Sequence, residues 1–92
     1  MAVDAGDVTP GEFFMTRDRE LRKVYRVVAD GQGGWRVWYQ CKPATLPCQP
    51  LLFGHTQADP PALEDFIAHC AYRLSEPELR ALRESGVLLE FE

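Results

Sequence analysis

A chain of 92 residues, 46% apolar and 26% charged, has the balance of an ordinary globular protein and the length of one domain with one modest core. That balance excludes a disordered polymer, and no apolar run approaches the roughly 20 residues that cross a bilayer. The net charge of −4 is unevenly spread: residues 17–42 hold seven basic against three acidic residues, and residues 59–92 hold eight acidic against three basic, an asymmetry that steers partners.

Residues 1–8 are small, acidic and aperiodic and read as a flexible N-terminus ahead of a single domain over 9–92. They lack the basic and apolar regions of a signal peptide, and the three cysteines are an odd number, so the cytoplasm is the expected compartment. Thr9-Pro10-Gly11-Glu12 carries the elements of a capping box, whereas Phe13-Phe14-Met15-Thr16 reads equally well as a short strand. Lys23–Ala29 and Trp35–Lys42 are rich in β-branched and aromatic residues and flank Asp30-Gly31-Gln32-Gly33-Gly34, which predicts a β-hairpin over 23–42. Prolines 43, 47 and 50 then predict a stiff loop, with a short third strand at Leu51–His55.

Asp59-Pro60-Pro61 opens a helix by its capping residue and first-turn proline, and Leu63, Phe66, Ile67, Cys70, Ala71 and Leu74 continue it at helical spacing to about residue 74. Ser75-Glu76-Pro77-Glu78 is a second capping box, with Leu74 and Leu79 at the staple positions, for a helix over about 76–85. Gly86 suits the left-handed position past its end. Val87, Leu89 and Phe91 alternate with Leu88, Glu90 and Glu92, which reads as a closing C-terminal strand over 87–91 with the second set outward. Strands first and helices afterwards predict an α+β fold, a small antiparallel sheet with two helices packed on one face.

The sequence offers three kinds of candidate site. Cys41, Cys48 and His55, with His69 and Cys70 beyond, supply soft ligands, but no two sit at the two-to-four-residue spacing that aims a pair at one zinc ion, so no metal and no cofactor are expected. No phosphate loop, dinucleotide glycine pattern, G-x-S-x-G or H-E-x-x-H is present, so no enzyme is expected. The third is the hairpin. A regular ladder centred on Gln32 sets Tyr25, Val27, Ala29, Trp35, Val37, Tyr39 and Cys41 on an apolar face. It sets Arg22, Arg26, Arg36, Trp38, Gln40 and Lys42 on the opposite one, where arginine and tryptophan are the residues enriched at binding hot spots. Glu64, Glu76 and Glu84 form a secondary acidic surface.

"VVADGQGGWRVWYQ" followed by "GHTQADPPALEDFI" resembles bacterial HicB-type antitoxin domains over about half the chain. The Pro-Gly-Cys loop and the DNA-binding extension of such domains are absent, and no functional residue is carried over. The reading is a small cytosolic binding protein of bacterial or phage type: a non-enzymatic regulator, adaptor or inhibitor, a monomer or weak homodimer, acting on another protein. The alternative is nucleic-acid binding by the basic, aromatic face, and the third a small thiol or metal-dependent enzyme.

Overall fold

A computed structural model describes residues 3–45, 50–53 and 59–89. The α+β class stands as expected. In chain order the elements are a 3-10 turn at Ala5–Asp7, β1 Phe13–Thr16, β2 Glu20–Ala29, β3 Trp35–Pro43, α1 Leu63–His69, β4 Cys70–Arg73 and α2 Glu76–Glu84. The four strands form one antiparallel sheet in the order β3-β2-β1-β4.

Successive strand residues point to opposite faces of a sheet, and Phe13 and Phe14 of β1 mark the two cores. Phe14 joins Val3, Val8, Val24, Val37, Cys70 and Phe66 of α1. Phe13 joins Leu21, Leu51, Leu74, Leu88 and Leu79 of α2. Each helix therefore serves its own face, α1 the Phe14 side and α2 the Phe13 side, and not both the same face as the sequence reading expects, because β1 and β2 carry apolar residues on both of their faces. Residues 3–8, set outside the domain by the sequence reading, contribute the buried Val3 and Val8 to the α1-side core.

Three elements differ from the sequence reading. The first helix begins at Leu63 with no side-chain cap, not at residue 60. Pro60 and Pro61 cover the outer edge of β3 instead, where the Val37 N–H donates to the Pro61 carbonyl and Arg36 bridges Ala62. That helix also ends at His69, five residues early. Cys70–Arg73 turns extended and pairs with the free edge of β1, Phe14 opposite Arg73 and Thr16 opposite Cys70. Backbone groups on an unpaired edge are a strong sink for a second strand, and this pairing outweighs local helical spacing.

The third difference is the closing strand. Val87 and Leu88 both donate their N–H to the Leu82 carbonyl, so the chain folds back against α2. Leu88, assigned outward, is buried at 1% exposure in the α2-side core. Gly86 holds the left-handed φ of 84° that this reversal needs. Residues 90 and 91 of the expected strand lie outside the described residues. Of the expected strand at 51–55, Leu52 makes an isolated bridge to Cys41, and residues 54 and 55 lie outside the described residues.

The second helix matches its sequence signature. Ser75 Oγ accepts the Glu78 N–H, Glu78 Oε1 accepts the Ser75 N–H at 3.0 Å, and Leu74 and Leu79 are buried together.

Candidate binding surface

The hairpin turn is fixed by one side chain. The Asp30 carboxylate accepts the N–H groups of Gln32 at 2.7 Å and Gly34 at 3.0 Å, and these bonds hold its pKa below the usual value. Gly31 and Gly33 take positive φ, 82° and 86°, which a side chain would resist. The turn sets the distal register as expected, with Ala29 opposite Trp35, Val28 opposite Arg36, Val27 opposite Val37 and Arg26 opposite Trp38.

Beyond Trp38 the register shifts. Val24, not Tyr25, lies opposite Tyr39, and Arg22 lies opposite Cys41. Tyr25 is the extra residue of a β-bulge, where two residues of one strand face one of the other. The consequence is a partial exchange of faces. Arg22 and Val24 belong to the α1 side and Tyr25 to the opposite side, the reverse of the regular ladder.

Arg22 is thereby removed from the expected binding face. Its guanidinium lies 4.4 Å from the Tyr39 ring centre and 5.6 Å from that of Phe66, and Glu20 pairs with it. Lys42 stays on the α2 side but is buried at 3% exposure, so its ammonium is not presented to a partner. Gln40 is half-buried opposite Lys23.

What remains on the α2 side of the distal hairpin is compact. Arg26 lies 5.6 Å from the Trp38 ring centre, a cation–π pair across the strands. Arg36 Nη1 donates to the Pro60 carbonyl at 3.0 Å, which holds its guanidinium near the β3 edge. Tyr25 is 54% exposed and meets the Phe53 ring edge-on, centroids 5.0 Å apart. Leu51 and Phe53 flank Leu52, whose bridge to Cys41 turns both toward this side. Tyr25 and Phe53 are the members that sequence reasoning missed. Nothing in "KVYRVVA" marks a bulge, and Phe53 reaches the surface only through the Cys41–Leu52 bridge.

The acidic residues do not gather. Glu64 on α1 and Glu76 and Glu84 on α2 are all exposed, but the two helices lie on opposite faces of the sheet.

Cys41 and Cys70 are free thiols on the α1 side. Burial raises the pKa of both, Cys70 to about 11, which keeps them protonated at neutral pH. Cys48 and His55, the other soft ligands near Cys41 in sequence, lie outside the described residues. Among the described residues no three His, Cys, Asp or Glu side chains gather as a metal site, and no helix is long and apolar enough to cross a membrane.

Comparison of the chain with models of protein families, with curated proteins and with solved structures finds no match. The resemblance to HicB-type domains therefore has no support from family matching and carries no part of the reading below.

Proposed function

We propose that the protein is a small non-enzymatic binding module whose recognition surface is the α2 side of the distal hairpin, centred on Trp38 and including Tyr25, Arg26 and Phe53. The carrying observation is the bulge at Tyr25. It adds a 54%-exposed tyrosine to a strand face that already pairs Arg26 with Trp38. Rigid aromatic side chains beside an arginine supply contact area at small entropic cost, the chemistry of interface hot spots.

A protein partner is favoured over nucleic acid. Two of the basic residues that a phosphate backbone would use, Arg22 and Lys42, are withdrawn into the fold, and Arg36 is engaged by Pro60. With a net charge of −4, the remaining cations give little counterion release.

The test is affinity capture from the native host with wild-type and Trp38→Ala baits, with and without nuclease. A partner retained by wild type, insensitive to nuclease and lost by Trp38→Ala supports the reading. Truncating a central aromatic anchor costs about 2 kcal/mol or more, roughly thirtyfold in affinity. Loss of the captured material on nuclease treatment moves the assignment to nucleic acid. Equal capture by both baits removes this face from the site.

A further inference from the structure

A recess lies at the opposite end of the sheet from the hairpin turn. Met15, Thr16, Arg17, Arg19, Ala71 and Tyr72 line a half-open recess of about 340 Å³, near the lower end of the range for small-molecule sites, about 300–1,000 Å³. Two irregularities build it. Between Thr16 and Met15 the β1–β4 register shifts, so that Ala71 is the extra residue and stands with Tyr72 on the Met15 side. Tyr72 is left exposed beside the thioether.

The other wall is the β1–β2 connection, residues 17–19. The Arg19 N–H donates to the Thr16 carbonyl, and the buried Thr16 hydroxyl accepts the Glu20 N–H at 3.0 Å. In such three-residue connections the last residue adopts the left-handed conformation that favours glycine. Here it is arginine, at φ 62°, the one residue other than glycine with positive φ among those described. A glycine would make this turn without strain, so the turn does not explain the arginine. Among the described residues neither Arg17 nor Arg19 has an ion pair or a side-chain hydrogen bond. Arg73 behind them is already engaged by Asp7 and Glu12.

We propose that this recess binds a small phosphate ester carrying a planar ring, of the mononucleotide class. Two unengaged guanidiniums match the fork geometry of a phosphate. Tyr72 and Met15 offer a flat, polarisable wall on which a ring stacks. The small volume of the recess suits a free small molecule rather than a strand.

Calorimetric titration of the full chain with adenosine monophosphate, inorganic phosphate, adenosine and a short single-stranded oligonucleotide tests this. Adenosine monophosphate saturates one site, and phosphate and adenosine bind at least about tenfold more weakly. Arg19→Gly keeps or raises thermal stability, because glycine relieves the backbone, yet loses at least about tenfold in affinity. Arg26→Gln with Arg36→Gln, at the far hairpin, leaves the affinity unchanged. The proposal is overturned by absence of saturable mononucleotide binding, by an Arg19→Gly variant that binds like wild type, or by an oligonucleotide that binds where the mononucleotide does not.

Discussion

Phe66→Ala probes the α1-side core at its centre. The side chain is fully buried, meets Phe14 edge-on at 5.7 Å and Tyr39 at 5.3 Å, and lies under the Arg22 guanidinium. Truncating a buried phenylalanine costs about 3–5 kcal/mol, and each aromatic pair lost adds about 0.5–1.5 kcal/mol to simple burial. The neighbours cannot readily collapse into the gap, because Phe14 is held in β1 between β2 and β4 and Tyr39 in β3 by its ladder with β2. The expected loss is therefore near the top of the range, about 4–5 kcal/mol. A domain of this length has about 5–14 kcal/mol in total, so the variant loses from about a third to all of its stability. Urea denaturation followed by circular dichroism gives the difference, and the melting temperature should fall by at least about 15 °C. Phe66→Leu, which keeps most of the volume, should lose much less. A loss below about 1 kcal/mol for the alanine variant would show that α1 does not pack on the sheet through this ring.

Ser75→Ala removes an N-cap and should cost about 1 kcal/mol in the same assay. The partner carboxyl of Glu78 is held below its ordinary pKa of 4.5 by the Ser75 N–H and hydroxyl, so its stabilising contribution is present above that value and is lost as pH falls through the lowered folded value; the stability difference between wild type and Glu78→Gln should shrink on acidification through that window. The Cys70 thiol is pushed by burial from 9.0 to about 11, so the folded state favours its neutral form. That contribution is complete below pH 9 and lost between 9 and 11, and urea melts of wild type should weaken over that interval relative to Cys70→Ala.

How much of this was legible in the sequence follows from the range of the forces involved. The Ser75–Glu78 box, the Gly86 reversal and the Asp30–Gly34 turn are short-range devices, and each stands in the structure where the residue types place it. Cys70–Arg73 reads as helix in the sequence because its strand partner, Phe13–Thr16, lies more than fifty residues away and leaves no mark on its spacing. Cys70 and Leu74 are buried under either assignment, so burial pattern could not separate helix from strand. The candidate surface is half legible for a related reason: the turn fixes register up to Arg26–Trp38, and a single extra residue then reverses the face of each β2 residue beyond it while β3 keeps its faces.

Deletion of Tyr25 tests the bulge directly. Removing the bulge residue leaves Val24 opposite Tyr39, Arg26 opposite Trp38 and Val27 opposite Val37 in an uninterrupted ladder, with Arg22, Val24 and Val27 still on the α1 side. No buried side chain is lost, since Tyr25 is more than half exposed. The variant should therefore unfold cooperatively, with a smaller loss of stability than Phe66→Ala. Its hairpin should twist less, because a bulge locally increases twist, and the exposed tyrosine of the candidate surface would be gone. Deleting Leu21 instead removes a fully buried side chain and should abolish the cooperative transition. If the Tyr25 deletion unfolds the chain as completely as the Leu21 deletion, Tyr25 is no bulge residue. The ladder is then regular through this position, and Arg22 returns to the outer face beside Arg26 and Trp38.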